Sequence, residues 1–184
     1  DMFPEGENGR IPVVAVTGTN GKTTTVRLIA HLLGGSGLTT GMTCTDGVYV
    51  NDRRLDSGDC SGPKSARSVL MHPDVDAAVF ETARGGLLRE GLAFDRCDVA
   101  VVTNIDREHL DHYGTFEKAK EAYLAFVENI PFYGFAVMCM DHPMVQELIG
   151  RVNDRRVITY GFSPQADFRL IDLGHQNPRR IGQQ

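Results

Sequence analysis

Short apolar runs alternate along this chain with segments whose apolar residues recur at helical spacing. The runs hold many valines and few charges, which is typical of strands buried within a sheet. They occupy residues 12–18, 38–44, 75–81, 97–104, 135–140, 155–161 and 167–173. Helical spacing marks residues 22–35, 63–72, 116–130 and 143–152. This alternation predicts an α/β fold with a mostly parallel sheet and helices on both faces.

Two details refine this picture. Residues 46–59 carry polar turn residues between two short runs, which predicts a hairpin. In two of the helices the apolar residues define one buried face each. These faces comprise Val26, Ile29, Ala30 and Leu33 in the first helix, and Phe116, Ala119, Tyr123, Phe126 and Val127 in the third.

Composition and charge narrow the class of protein. The 184 residues are 41% hydrophobic and 23% charged, as expected for one globular domain. The net charge of −5 argues against general nucleic-acid binding, so any anionic ligand must be held by local groups. The four cysteines are far apart, and no apolar stretch is long enough to span a bilayer. We therefore expect reduced thiols, no membrane association and a cytoplasmic location.

The stretch VTGTNGKTTT, residues 16–25, follows the first predicted strand and opens the first helix. Gly18 and Gly21 allow a tight turn whose N–H groups, together with the helix N-terminus, can cradle phosphate oxygens. Lys22 can reach the terminal phosphates, and the hydroxyl of Thr23 can ligate Mg²⁺. The usual P-loop pattern has glycine where this chain has Val16, so the match is to a shorter variant, G-T-N-G-K-T.

A purely structural turn with a capped helix is the alternative interpretation of this stretch. One capping hydroxyl would serve such a turn, whereas here Thr23, Thr24 and Thr25 follow one another. Three threonines lose on the order of 1–2 kcal/mol of helix propensity relative to alanine. This cost favours a P-loop-type, phosphate-binding interpretation.

Polar residues also follow two other predicted strands. Glu81 ends one, and Asn104 ends another, with His109 shortly beyond it. Ligands of parallel sheets bind at the carboxyl ends of the strands, so these groups are expected near the glycine-rich loop, residues 18–21. A buried Glu81 needs a cation, either Mg²⁺ or an ion pair with Arg84. His109 by itself is compatible with a structural role.

Together, VTGTNGKTTT, the strand-end glutamate and TNIDREHLDHYGTF resemble the central ATPase domain of the Mur ligase family. The resemblance implies an ATP-dependent ligase that phosphorylates a carboxylate and lets an amino group attack the acyl phosphate. It implies ATP and Mg²⁺ as ligands. The residues implied in phosphate binding are Gly18, Thr19, Asn20, Gly21, Lys22, Thr23 and Thr24.

The resemblance also implies individual roles. Lys22 would offset charge on the transferred phosphoryl group, and Thr23 would ligate a first Mg²⁺. Glu81 and His109 would ligate a second, and Asn104 would line the nucleotide site. Some members carry a carbamylated lysine in the third helix. Here Tyr123 occupies that position, with Lys120 one turn earlier, so we predict no carbamate.

Two branches of the family are resembled in different parts of the chain. Residues 1–105 resemble cyanophycin synthetases, and residues 101–172 resemble UDP-N-acetylmuramate–L-alanine ligases. A chimera joined near the shared strand is one hypothesis, and a natural member with mixed features is the other. The flanking DNA would distinguish them.

The resemblance further implies that residues 1–184 form one central ATP-binding domain, incomplete at its C-terminal end. A domain for the first substrate would precede residue 1, and a C-terminal ligase domain would follow. The expected partners are ATP, a carboxylate acceptor, an amino acid and those domains. A nucleotide-binding scaffold without turnover is the main alternative. A generic P-loop kinase or GTPase explains Glu81 and TNIDREHLDH less well.

Overall fold

The computed structural model describes residues 9–82, 94–105 and 116–173. Nine strands and four helices lie within these ranges. In chain order they are β1 (Val13–Thr17), α1 (Lys22–Gly35), β2 (Thr40–Cys44), β3 (Gly47–Val50), β4 (Arg53–Ser57), α2 (Pro63–Leu70), β5 (Ala77–Glu81), β6 (Val99–Val102), α3 (Phe116–Glu128), β7 (Phe135–Cys139), α4 (Pro143–Ile149), β8 (Arg156–Gly161) and β9 (Phe168–Arg169).

All nine strands form one sheet, in the order β4-β3-β2-β5-β1-β6-β7-β8-β9. The hairpin strand β3 pairs antiparallel with both of its neighbours, and every other pairing is parallel. This confirms the predicted mostly parallel sheet and the hairpin. In β1, Val16 is level with Glu81 of β5, and Thr17 is level with Val102 of β6. The carboxyl ends of these three strands therefore lie side by side.

Helices cover both faces of the sheet, as predicted. On one face Val16 packs in a cluster with Val26 of α1, which Ile29, Ala30 and Leu33 extend. On the other face the adjacent Ala15 belongs to a larger cluster that includes side chains of α2, α3 and α4. The alternation follows from strand geometry, because successive side chains point to opposite faces.

Glycine and proline set several element boundaries. Gly21 has φ 81°, precedes α1 and adopts a left-handed conformation that glycine tolerates best. Gly34 and Gly35 form the end of α1, as predicted, and Pro63 opens α2 at a position where its missing N–H costs nothing. The last strand spans two residues rather than the predicted seven, and both are exposed at the sheet edge.

Within the described ranges, no helix combines the length and apolar character needed to cross a membrane.

Candidate functional site

The glycine-rich loop lies between the ends of β5 and β6. Gly18 has φ 135°, a backbone conformation that residues other than glycine rarely adopt. A β-carbon at Gly18 would also clash with the hydroxyl of Thr103 and lie 2.9 Å from the carbonyl oxygen of Asn104. Gly18 is therefore required for both its conformation and its close approach to β6. A β-carbon at Gly21 would meet no atom within 4 Å, so Gly21 is required for its conformation alone.

The loop leads directly into α1, whose first residue is Lys22. The Lys22 ammonium donates a hydrogen bond to the carbonyl oxygen of Thr19 at 3.0 Å and is partly buried. The first turn of α1 contains no acidic residue, and no side chain caps its N-terminus by a hydrogen bond. A lysine at this end opposes the helix dipole, whereas an anion there is stabilised by it. The arrangement is suited to an anionic ligand.

Glu81 and Thr23 meet beside the loop. The Thr23 hydroxyl donates to Glu81 Oε2 at 2.7 Å, and the backbone N–H of Thr45 donates to the same oxygen at 3.3 Å. Glu81 is 2% exposed, so its carboxylate is removed from bulk water. The predicted closeness of Glu81 to the glycine-rich loop thus agrees with the geometry, although Thr23 and Glu81 are 58 positions apart in sequence.

The donor set at this point suits Mg²⁺. A carboxylate and a hydroxyl are hard oxygen ligands, and Mg²⁺ in nucleotide sites is bound through one or two protein oxygens, substrate phosphates and water. In the portion of the chain that the structure describes, no three His, Cys, Asp or Glu side chains cluster to form a metal cage.

Thr45 is a site residue that sequence reasoning missed. Its hydroxyl lies 3.2 Å from that of Thr23, and its N–H contacts Glu81. It follows β2, which pairs with β5 and so reaches the same edge of the sheet. Its position after an apolar run was the available signal, but threonine is common there.

Asn104 lies against the loop, and its side-chain amide is bonded to the loop backbone. Its Oδ1 accepts the N–H of Asn20 at 2.9 Å, and its Nδ2 donates to the carbonyl oxygen of Asn20 at 3.1 Å. The Asn104 carbonyl oxygen accepts the N–H of Thr19 at 2.9 Å. The contacts described for Asn104 therefore hold the loop. Thr24, by contrast, is exposed on the first turn of α1.

Charged side chains beside Thr45 form a second polar group. The carboxylate of Asp46 accepts hydrogen bonds from the Cys44 thiol and the Arg27 guanidinium, and these lower its pKa. Burial and the bond to Asp46 raise the pKa of Cys44 to about 11. Cys44 is therefore a protonated, packed thiol rather than a nucleophile.

Two further predictions concern α3 and the residues around it. His109 and Arg84 lie outside the described residues. The role of His109 as a ligand of the second Mg²⁺ and the ion pair between Glu81 and Arg84 therefore stay predictions. Tyr123 is buried on α3, at 2% exposure. The Lys120 ammonium lies 2.6 Å from Glu147 and 3.0 Å from Glu117, and these bonds raise its pKa. A protonated lysine does not form a carbamate readily, because carbamylation needs the neutral amine.

The sequence signature described as the Mur ligase middle domain matches residues 16–178. The chain belongs to the Mur ligase family. The match spans both the glycine-rich loop and the strand that ends in Glu81, so the family's middle domain accounts for the whole described site.

Relatives within the family match most of the chain. A cyanophycin synthetase from Synechocystis sp. is 44% identical over 165 residues, which is 89% of this chain and 19% of that protein. A UDP-N-acetylmuramate–L-alanine ligase from Methylobacterium nodulans is 46% identical over 164 residues, which is 87% of this chain and 30% of that protein. The chain thus spans less than a third of the length of these relatives.

These relatives confirm the resemblance to both branches. Each alignment covers nearly nine-tenths of the chain and so crosses the proposed junction near residues 101–105. The likeness to each branch therefore extends beyond the part in which it was recognised. A natural member with mixed features accounts for this overlap without a junction, and the chimera stays a hypothesis for the flanking DNA to test.

Solved structures share the fold. UDP-N-acetylmuramoyl-L-alanyl-D-glutamate–2,6-diaminopimelate ligase superposes with a TM-score of 0.73 at 26% identity, covering 88% of this chain and 34% of that one. E. coli FolC in complex with DHPP and ADP gives a TM-score of 0.60 at 19% identity, covering 83% of this chain and 43% of that one. The second likeness supports the fold alone.

Proposed function

We propose that this chain is the ATP-binding core of an ATP-dependent carboxylate–amine ligase that acts through an acyl phosphate. The observation that carries the proposal is the hydrogen bond between Thr23 and buried Glu81, at 2.7 Å, beside a glycine-bent loop and Lys22. A phosphate chain needs N–H donors, a cation and a metal-binding oxygen at one place. The carboxyl edge of β5, β1 and β6 provides these groups together.

Each residue contributes to this chemistry in its own way. The backbone N–H groups of the loop would hold the phosphate oxygens of ATP. The Lys22 ammonium would leave the carbonyl of Thr19 and offset charge on the transferred phosphoryl group. Thr23 would hold a first Mg²⁺, and Glu81 would hold a second together with His109. When bound, Mg²⁺ neutralises charge on the phosphates.

The relatives support a proposal for the parts of the reaction that lie beyond this chain. We propose that residues 1–184 are the middle domain of a longer ligase, whose other domains bind a carboxylate acceptor and an amino acid. One relative is named for its product, cyanophycin, and the other for the two molecules it joins, UDP-N-acetylmuramate and L-alanine. We propose that the carboxylate acceptor is a growing cyanophycin chain, UDP-N-acetylmuramate or a molecule that resembles one of them. We further propose a cytoplasmic protein without nucleic-acid partners.

A second candidate is a nucleotide-binding domain that has no turnover by itself. It is favoured by length, because the chain spans 19% and 30% of the two relatives. The two candidates share the nucleotide site and differ in whether acyl phosphate forms. Adding ATP, Mg²⁺ and each class of carboxylate acceptor, and measuring ADP release, would separate them.

Isothermal titration of the chain with ATP tests the shared site. We expect saturable binding in the presence of Mg²⁺ and weaker binding when EDTA removes it. A parallel titration with GTP tests for a generic GTPase, which would favour the guanine nucleotide. Absence of saturable heat with MgATP would defeat the proposed function.

Replacing Glu81 with glutamine should reduce the effect of Mg²⁺ on ATP affinity. Glutamine keeps the size of the side chain and an acceptor for Thr23 and Thr45, but it removes the negative charge. Loss of even an outer-shell partner of a metal ligand typically lowers metal affinity about 10- to 100-fold, so loss of a direct ligand should lower it by at least about tenfold. The measurement is a series of ATP titrations at increasing Mg²⁺ concentration.

Glu121→Gln provides the matched control, because Glu121 is exposed on α3. It should leave the Mg²⁺ dependence unchanged. A large fall in the free energy of unfolding of Glu81→Gln, with the wild-type Mg²⁺ response, would make Glu81 a structural residue.

A further inference from the structure

The hydroxyl of Thr103 bonds to the glycine-rich loop from the end of β6. Thr103 Oγ1 lies 2.7 Å from the carbonyl oxygen of Asn20 and 3.2 Å from that of Thr17. Thr103 is 7% exposed; its bond to Thr17 is buried, and its bond to Asn20 is partly buried. A hydroxyl has one hydrogen to donate, and the shorter distance identifies Asn20 as its principal acceptor.

The loop is shaped around this hydroxyl. A β-carbon at Gly18 would lie closer to Thr103 Oγ1 than van der Waals contact allows. The hydroxyl therefore occupies space that only glycine leaves open. Gly18 is thus the residue that allows Thr103 to reach the loop backbone. Gly18, directly after β1, and Thr103, directly after β6, therefore fit against each other.

The bond to Asn20 has a directional consequence. In a trans peptide the C=O and the following N–H point in opposite directions, and this chain has no cis peptide within its described ranges. Because the Asn20 carbonyl points towards Thr103, the N–H of Gly21 points away from β6. That N–H is one of the groups at the entry to α1 that an anion would meet.

We propose that Thr103 is a positioning residue, whose hydroxyl orients the Asn20–Gly21 peptide so that the Gly21 N–H is presented to a nucleotide phosphate. The proposal rests on the proposed function, since it takes ATP as the ligand of the loop. Thr103 acts through the loop and need not touch the nucleotide.

The role of the hydroxyl can be separated from the stability of the fold. In Thr103→Val the Asn20 carbonyl oxygen keeps its bond from Asn104 Nδ2 at 3.1 Å, and the Thr17 carbonyl oxygen keeps the Thr103 N–H at 3.1 Å. No acceptor is left without a partner, and valine has nearly the shape of threonine. Thr103→Ser keeps the hydroxyl and removes only the methyl group.

The experiment compares wild type, Thr103→Val and Thr103→Ser by two measurements. The first is amide hydrogen exchange at Thr19 and Asn20 without nucleotide, since both N–H groups are bonded to Asn104. The second is the Kd for MgATP. For Thr103→Val we expect faster exchange and a Kd raised about 3- to 10-fold, the effect of one neutral hydrogen bond. Its melting temperature should fall by no more than about 4 °C.

Thr103→Ser should restore the wild-type exchange and Kd. Wild-type values for Thr103→Val in either measurement would overturn the inference, as would a Thr103→Ser protein as weak as Thr103→Val. If wild type binds MgATP and Thr103→Val binds it equally well, this inference alone fails. If wild type does not bind MgATP, the proposed function fails and this inference with it.

Discussion

Replacing Lys22 with alanine is expected to abolish measurable MgATP binding while the fold stays intact. Lys22 is the first residue of α1, and its ammonium lies 3.0 Å from the carbonyl oxygen of Thr19, within the loop itself. Removing a charge that contacts phosphates in a partly buried site costs about 2–5 kcal/mol of binding free energy. Affinity should therefore fall by roughly 30-fold to several thousand-fold, as measured by isothermal titration.

The stability of the Lys22→Ala protein should be unchanged or slightly higher. A cation in the first turn opposes the helix dipole, an effect of about 0.3–1 kcal/mol, and no acidic residue in that turn offsets it. Urea denaturation without nucleotide measures this difference. A functional lysine predicts this combination, in which binding is lost and the free energy of unfolding is retained.

Lys118→Ala is the matched control, because it removes the same charge from an exposed position on α3. It should bind MgATP as wild type does. If Lys22→Ala binds MgATP with the wild-type heat and Kd, the loop is not a phosphate site. If it loses binding only because it unfolds, Lys22 is a structural residue.

Replacing Gly18 with alanine should reduce both the free energy of unfolding and MgATP affinity. The backbone at Gly18 has φ 135°, which strains any residue with a β-carbon. That β-carbon would also clash with Thr103 Oγ1 and approach the Asn104 carbonyl oxygen to 2.9 Å. Backbone strain and overpacking together should lower the free energy of unfolding by about 2–5 kcal/mol. Urea denaturation and ATP titration provide the two measurements.

Gly37→Ala separates strain from contact. Gly37 has φ 94°, and a β-carbon there would meet no atom within 4 Å, so its substitution costs conformational strain alone. We expect about 1–2 kcal/mol for it and no change in MgATP affinity. Equal losses of stability in the two variants would contradict the importance of the contact between Gly18 and β6.

Much of the fold could be predicted from local pattern. The bounds of α1 follow from a glycine before Lys22, apolar residues at helical spacing and the pair Gly34-Gly35. The buried strands follow from runs such as that of β5, whose five residues are all buried. In each case a residue's neighbours in sequence are also its neighbours in structure, so the period of the pattern reports the element. The length of the last strand is overestimated by the sequence pattern, which predicts residues 167–173 where β9 spans only Phe168–Arg169. An apolar run at a sheet edge need not pair with its neighbour along its whole length.

The candidate site could be predicted in part. Gly18, Lys22 and Thr23 belong to one continuous motif, and Glu81 was placed beside them by the rule that parallel strands share a carboxyl edge. Thr45 and Thr103 were not identified as site residues. Their roles depend on hydrogen bonds to partners that are distant in sequence: Glu81 is 36 positions from Thr45, and Asn20 is 83 positions from Thr103. A threonine at a strand end has no sequence pattern that distinguishes these roles from an ordinary turn.

The sequence by itself determined the type of fold, the position of the glycine-rich loop and the family to which the chain belongs, because these depend on contiguous residues and their spacing. Only the tertiary structure decided which groups meet. The strand order brings β5 and β6 to either side of β1, and this places Glu81 on Thr23 and Thr103 on Asn20. The tertiary structure also places the amide of Asn104 against the loop backbone. A short amide side chain bonds to the donors and acceptors nearest to it, and the packing of segments distant in sequence decides which groups those are.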